Sequence, residues 1–183
     1  MNYIQYIEES KSWTCPKTGV WKVICVGGGG AGLSYYDGTK NSIGTAGGTT
    51  SFGSILSASG GISGADVNKD KIEMPNSNYH IRYTMGINGY NGAGGYGAES
   101  GEYIGSGYGA SGGAAYTDTN VKVRHSGLPG DVKSVITDIS EGTSIACTIG
   151  SGGTVTFSGD NKLGIAFPGK SGAIIVQYLG SEM

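Results

Sequence analysis

The sequence is short of the residues that mark several common classes of protein. Its 183 residues include 4 prolines, 2 histidines and 3 cysteines. Lys and Arg total 12 against 14 Asp and Glu, a formal charge of -2, so no basic surface for nucleic acid is expected. The longest apolar runs, such as residues 173–176, fall far short of the roughly 20 residues that a membrane-spanning helix needs. The polar residues 1–10 predict no secretion signal. We therefore expect one soluble domain that neither binds nucleic acid nor inserts into a membrane.

The three cysteines, Cys15, Cys25 and Cys147, are odd in number and lack the spacing of a metal site. Cys25 alternates with Trp21 and Val23, and Cys147 alternates with isoleucines in the same way. This alternation is typical of the buried face of a strand. Buried free thiols are therefore favoured over a disulfide or a catalytic cysteine.

Apolar and polar residues alternate with a period of two along much of the chain, and no segment sustains a helical period. The alternating segments are short, β-branched and bounded by Gly, Pro, Asn and Asp, as in antiparallel sandwiches. We predict an all-β fold, an antiparallel β-sandwich. Residues 1–11 are expected to form an N-terminal attachment arm, and residues 12–183 the glycine-rich sandwich domain. The predicted strands are residues 3–8, 20–26, 51–59, 79–85, 121–125, 132–138, 144–149, 154–157 and 173–179.

Glycine is abundant, at 37 residues of 183, whereas typical usage is about 7%. It concentrates in two tracts, residues 27–64 with thirteen glycines and residues 86–116 with twelve. In the second tract, seven of the ten positions spaced three apart from 86 to 113 are glycine. A left-handed polyglycine-II helix has three residues per turn and directs its N–H and C=O groups outward, and glycine lets such helices approach closely. The spacing predicts a bundle of polyglycine-II helices, with a disordered Gly/Ser/Tyr segment as the alternative.

Two glycine motifs match nucleotide-binding loops. Residues 27, 29 and 32 satisfy G-x-G-x-x-G, and residues 164–171 satisfy G-x-x-x-x-G-K-S. Each motif works only when a helix follows, so that the helix N-terminus meets the phosphates. Glycines at 44, 47 and 48 exclude a helix after the first motif, and a strand-like segment follows the second. We expect neither motif to bind a nucleotide, and we predict no cofactor, no metal site and no catalytic residue.

The second glycine tract has the composition of a binding surface. Residues 86–116 hold five tyrosines among Gly, Ala, Ser and Asn, and no Lys or Arg. Tyrosine provides a large contact at low entropy cost, while small residues adapt and form hydrogen bonds. The alternative is that the tyrosines only cap the bundle and face its neighbours. The candidate receptor-binding residues are Tyr90, Tyr96, Glu99, Glu102, Tyr103 and Tyr108.

Four segments of the sequence carry motifs that resemble those of a known family of proteins. Residues 13–30 run from Trp-Thr-Cys-Pro through the strand Val-Trp-Lys-Val-Ile-Cys-Val to four glycines, and the other segments are residues 47–61, 132–153 and 172–178. Together they resemble the glycine-rich tail-fibre and tail-tip domains of bacteriophages and prophages. The resemblance implies a β-sandwich with polyglycine-II segments at the distal end of a phage tail, where it recognises the bacterial surface.

The resemblance implies a non-catalytic virion protein, a receptor-binding tail-fibre tip or baseplate adhesin that is assembled in the host cytoplasm. Its implied partners are a host cell-surface glycan or protein and, through the N-terminal arm, other tail or baseplate proteins. A purely structural fibre or baseplate component and a tail-associated glycan depolymerase are the alternatives. We also expect a homotrimer, because ordering 37 glycines costs much backbone entropy and fibres are usually threefold symmetric.

Overall fold

A computed structural model describes residues 3–36, 39–64, 83–84, 89–90, 107–115, 121–157 and 165–181. Within these residues the chain forms fifteen β-strands and no helix, and so no helix that could cross a membrane. All the strand pairs are antiparallel, which confirms the all-β, antiparallel prediction. The strands are β1 (Ile4–Ile7), β2 (Lys11–Thr14), β3 (Gly19–Val26), β4 (Leu33–Tyr36), β5 (Thr39–Gly44), β6 (Thr50–Phe52), β7 (Leu56–Ala58), β8 (Tyr83–Thr84), β9 (Ala114–Ala115), β10 (Val121–His125), β11 (Val132–Ile139), β12 (Ser144–Thr148), β13 (Val155–Phe157), β14 (Ile165–Ala166) and β15 (Ala173–Gly180).

The strand predictions need one correction and several additions. The segment 51–59 was expected to be one strand, but a turn at residues 53–55 divides it into β6 and β7, which pair with each other. The predicted strand 79–85 lies outside the described residues except for β8. Sequence alternation also missed β2, β4, β5, β9 and β14, which are short or rich in Ser, Thr, Tyr and Gly.

Two four-stranded sheets, here called the core sheets, share the main hydrophobic core. The first has the strand order β1-β15-β3-β11, and the second has the order β2-β12-β6-β7. The rings of Trp13 and Trp21 meet across the core at 5.3 Å, and Trp13 also lies 5.4 Å from Phe52. Cys15, Cys25 and Cys147 are free and buried in this core, as predicted.

Strand β1 lies inside the segment that was expected to form an attachment arm. It pairs with β15 along its length, from Ile4 opposite Gln177 to Ile7 opposite Ile174, and Ile7 is fully buried in the core. The arm is therefore anchored as an edge strand of the first core sheet. Its expected role in attaching the protein to a partner stays a prediction.

Residues 27–32, here called the hub, continue directly from β3 and are all buried. Their six amides donate to three other segments in rotation, with N···O distances of 2.9 to 3.0 Å. Residues 27 and 30 donate to segment 127–131, residues 28 and 31 to segment 45–48, and residues 29 and 32 to segment 167–172. The same partner segment thus returns at every third residue.

The hub also accepts hydrogen bonds from three further segments. Carbonyl groups of residues 28 and 31 accept from segment 59–64, that of residue 29 from segment 150–154, and that of residue 30 from segment 109–113. The hub is therefore surrounded by six segments of the described chain. It donates to the three that run antiparallel to it and accepts from the three that run parallel.

The six outer segments bond to one another in a closed ring, with N···O distances of 2.8 to 3.0 Å. Neighbours in this ring run antiparallel, and most neighbouring pairs repeat their bonds at intervals of three residues. The order around the ring is 45–48, 59–64, 127–131, 109–113, 167–172, 150–154 and back to 45–48. We call the hub and this ring the glycine bundle.

The glycine bundle lies between the core sheets and two further sheets. At one end its segments join strands of the core sheets, as the hub joins β3 and segment 167–172 joins β15. At the other end, the hub and five of the outer segments join the sheet β10-β4-β5-β13 or the sheet β14-β9-β8, and segment 59–64 runs to the limit of the described residues. Of the second glycine tract, segment 109–113 takes part in the bundle, whereas most of its threefold positions lie outside the described residues.

Candidate functional site

The two nucleotide-like motifs are structural parts of the glycine bundle. The amides of Gly27, Gly29 and Gly32 donate to the carbonyl groups of other segments, and so do those of Gly169 and Lys170. Strand β15, not a helix, follows the second motif. Amides that already donate to the protein are not available to a phosphate group, so neither loop is a phosphate cradle.

Two of the six candidate receptor-binding residues lie side by side. Tyr90 and Tyr108 form an antiparallel bridge in which each backbone amide donates to the other's carbonyl group, at 2.9 and 3.0 Å. The other four candidates, Tyr96, Glu99, Glu102 and Tyr103, lie outside the described residues. The two ends of the central stretch of the tyrosine-rich tract, at residues 90 and 108, therefore lie next to each other on the protein surface.

An open cleft of about 850 Å³ surrounds this bridge, where the first core sheet meets the glycine bundle. We call it the tyrosine cleft. The rings of Tyr6 and Tyr108 lie along it, with centroids 6.3 Å apart and planes inclined by 30°. The lining residues are Tyr6, Tyr90, Gly107, Tyr108, Gly169, Lys170 and Ser171.

Strand alternation directs Tyr6 into the cleft. Ile7 faces the core, so the preceding residue in β1 projects from the opposite face of the sheet, where Tyr6 is 49% exposed. Ile175 lies opposite Tyr6 in β15 and continues the same face. The tyrosine is thus held by a paired strand and not by a loop.

Close backbone packing fixes the part of the cleft that segment 167–172 forms. A side chain at Gly169 would overlap the carbonyl group of Gly29 in the hub, so only glycine fits at this point. The next two residues, Lys170 and Ser171, expose their side chains at the surface of the bundle. Segment 167–172 therefore presents a cation and a hydroxyl group from a backbone that is bonded on several sides.

One hydroxyl group of the cleft is paired within the protein, whereas other polar groups of its lining are not. The hydroxyl group of Tyr108 donates a hydrogen bond to the Glu8 carboxylate, and this bond, with a smaller contribution from burial, raises the pKa of Tyr108 to about 12. Tyr108 is therefore a neutral donor at physiological pH. Within the described chain, the Lys170 ammonium and the hydroxyl groups of Tyr6 and Tyr90 form no hydrogen bond or ion pair, so they are available to a ligand.

A second, smaller cleft lies at the other end of the core sheets. It has a volume of about 220 Å³ and is lined by Tyr3, Pro16, Lys17, Trp21 and Tyr178. Its polar groups are already paired within the protein. The Trp21 indole N–H donates to the Lys17 carbonyl group at 3.2 Å, and the Lys17 ammonium lies 5.0 Å from the centre of the Tyr178 ring. This cleft offers a ligand less than the tyrosine cleft does.

Of the residues that line the tyrosine cleft, Tyr90 and Tyr108 were among the candidates predicted from the sequence, whereas Tyr6, Lys170 and Ser171 were not. The alternation in residues 3–8 was a usable signal for Tyr6, since it places that side chain on the outer face of β1. No local signal connects Lys170 to the tyrosines. In the described parts of the chain, no three His, Cys, Asp or Glu side chains are grouped as a metal site would require.

No family model matches the chain, and no curated protein or solved structure is significantly similar to it. Its function is therefore inferred from the sequence pattern and from the geometry of the described residues.

Proposed function

We propose that the protein is a non-catalytic adhesin of a bacteriophage virion, placed at the tip of a tail fibre or in the baseplate. It binds a glycan or a protein on the bacterial surface. The observation that carries this proposal is the tyrosine cleft, an open site whose walls are built from a paired strand and a bonded bundle. Such a site loses little conformational entropy when a ligand binds. The tail-fibre pattern of residues 13–30 and of the three further segments supports the location.

The scaffold fits this role. We interpret the hub and its ring as a bundle of polyglycine-II helices, and the core sheets as a β-sandwich. The return of each partner segment at every third residue supports the first interpretation, since a polyglycine-II helix has three residues per turn. The shared core of the two sheets, with Trp13 and Trp21 in contact, supports the second. Because the bundle is held by backbone hydrogen bonds, the exposed side chains of Lys170 and Ser171 are not needed to hold it together.

A purely structural tail component is the second candidate, and one surface is compatible with it. Four apolar side chains on the outer face of the first core sheet are about half exposed, which suits packing against another protein. They are Ile4, Val132, Ile136 and Leu179. An adhesin also needs such an attachment surface, so this observation fits both candidates.

Cell binding tests the proposal and separates the two candidates. The full chain is labelled with a fluorophore and offered to a panel of bacterial strains, and the strains that bind it are compared with those that adsorb phage particles carrying the chain. We expect the two sets to agree, and excess protein to block adsorption. Protein that binds no strain and blocks no adsorption would favour the structural component. Gold-labelled antibody against the chain should mark the distal end of the tail in electron micrographs.

A homotrimer stays a prediction. The glycine bundle forms its hydrogen bonds within one chain, so these segments do not need an oligomer to satisfy their backbone groups. The exposed apolar face of the first core sheet remains as a surface for association. Light scattering should give three times the chain mass of 18.6 kDa, and a mass of one chain would contradict the trimer.

A further inference from the structure

We propose that the tyrosine cleft binds a carbohydrate that carries an anionic group, and that Lys170 recognises the anion. This inference rests on the proposed function, because it names the class of surface ligand that the adhesin takes. It also adds Tyr6, Lys170 and Ser171 to the site, none of which belongs to the tyrosine-rich tract.

The aromatic wall suits a sugar ring. Tyr6 is 49% exposed and its ring is inclined by only 30° to that of Tyr108, so the two form an extended aromatic wall along the cleft. The face of an aromatic ring carries partial negative charge and attracts the polarised C–H groups of a sugar. Tyr90 and Tyr108 are fixed to each other by two backbone hydrogen bonds, which limits the cost of ordering this wall on binding.

Residues of the glycine bundle supply hydrogen bonds. Lys170 and Ser171 are exposed and line the same cleft as Tyr6. The Ser171 hydroxyl donates and accepts, as the hydroxyl groups of a sugar require, and the lysine ammonium provides three donors. A tyrosine hydroxyl adds one further donor and acceptor. The site therefore combines an apolar face with several polar groups, which matches the two-sided chemistry of a sugar.

Charge determines which sugars are preferred. Lys170 is the cation among the lining residues, and within the described chain no carboxylate is paired with it. The Glu8 carboxylate accepts the hydrogen bond of Tyr108, and Glu8 is not among the residues that line the cleft. An anionic group on the ligand is therefore attracted to Lys170. A charge-assisted hydrogen bond of this kind is about twice as strong as a neutral one.

The size and shape of the cleft favour a short oligosaccharide over a protein surface. Its volume of about 850 Å³ lies in the upper part of the range for small-ligand sites, roughly 300–1,000 Å³. A protein partner usually needs a broader contact with an apolar centre. The lining of the cleft combines tyrosine rings with the polar side chains of Lys170 and Ser171.

The test uses an array of bacterial surface glycans, acidic and neutral, probed with the folded full chain. Three variants are compared with the natural sequence: Lys170→Gln removes the cation, Tyr6→Ser removes the aromatic face, and Lys17→Gln is the control at the other end of the core sheets. These side chains are exposed or half exposed, so the fold is expected to persist, and near-ultraviolet circular dichroism checks it.

We expect binding to acidic glycans. Lys170→Gln should weaken it by about tenfold or more, Tyr6→Ser should weaken it at least as much, and Lys17→Gln should leave it unchanged. The inference is overturned if the folded protein binds no glycan, if it binds neutral glycans equally well, or if neither cleft variant weakens binding. If the variants adhere to the host strain as well as the natural protein does, the tyrosine cleft is not the binding site, and the adhesin proposal still stands.

Discussion

The hydroxyl group of Tyr108 donates a hydrogen bond to the carboxylate of Glu8, although the two residues are 100 positions apart in the sequence. This bond joins a residue of the tyrosine-rich tract to the residue that follows β1. Together with the backbone bridge to Tyr90, it holds Tyr108 from two sides. One wall of the tyrosine cleft is therefore fixed to the first core sheet before any ligand arrives.

Titration should detect this bond. The pKa of Tyr108 is about 12 in the folded protein, chiefly because the neutral hydroxyl donates to Glu8. Glu8→Gln removes the carboxylate charge, so we expect the pKa of Tyr108 to fall toward its ordinary value of 10.0. The measurement is nuclear magnetic resonance of tyrosine labelled with ¹³C at Cζ, with Tyr108→Phe to assign the signal. Glu9→Gln is the control and should leave the titration unchanged. A Tyr108 that titrates normally in the natural protein would contradict the bond.

Adding a single methyl group to the hub should be severely destabilising. A Cβ at Gly29 would overlap the backbone carbonyl group of Ala110, and a rigid backbone cannot move aside as a flexible side chain can. We expect Gly29→Ala to lower the free energy of unfolding by about 3 kcal/mol or more, through overpacking and lost backbone hydrogen bonds. Urea unfolding followed by tryptophan fluorescence measures the loss.

Gly142→Ala is the matched control for this substitution. Gly142 has a φ of 78°, and a side chain there would meet nothing within 4 Å. The cost should therefore be only that of a left-handed backbone, about 1 kcal/mol. Equal losses for the two variants would show that close packing does not distinguish the hub from an open turn.

Amide hydrogen exchange should be slow in the hub. The six amides of residues 27–32 are buried and donate to carbonyl groups of the surrounding segments, so they can exchange only when the bundle opens. We expect protection as high as in β3, the central strand of the first core sheet. Mass spectrometry of a peptide spanning residues 27–32 reports this directly. Immediate exchange, as in a flexible glycine linker, would contradict the bundle.

Alkaline pH should lower the free energy of unfolding, because the thiol of Cys25 is buried in the core. Burial, with a smaller contribution from Cys147, raises the pKa of the Cys25 thiol from 9.0 to about 12. Between these values the unfolded chain releases the proton while the folded chain retains it. Ionisation of the Cys25 thiol therefore leaves the free energy of unfolding unchanged below about pH 9. As the pH rises from there toward 12, that free energy falls by up to about 1.4 kcal/mol per pH unit.

Urea unfolding at a series of alkaline pH values measures this slope. Cys25→Ala is the comparison, because it removes the thiol while the lysines and tyrosines continue to titrate. We expect the variant to be less stable at neutral pH, owing to the lost packing, but to lose stability less steeply above about pH 9. Identical slopes for the two proteins would show that the Cys25 thiol is not shielded from water in the folded state.

Part of the fold follows from local sequence alone. Alternation in residues 20–26 and 173–179 predicts β3 and β15 nearly to the residue, because side chains on a strand face alternate sides. The same pattern places Cys25 and Cys147 in the core. It fails at residues 51–59, where two short strands meet in a turn, since alternation cannot tell a turn from a continuing strand over so few residues.

The glycines of this chain show most clearly which features the sequence determines and which depend on the tertiary structure. Sequence alone determined that a chain with 37 glycines, few charges and period-two alternation is all-β, and that no helix follows either glycine motif. Only the tertiary structure decided that Gly29 lies at the centre of the bundle and that Lys170 and Tyr6 line the same cleft. The reason is physical. Backbone hydrogen bonds between glycine segments are chemically identical whichever segments pair, so their partners are selected by the packing of the whole chain and by no residue-specific signal.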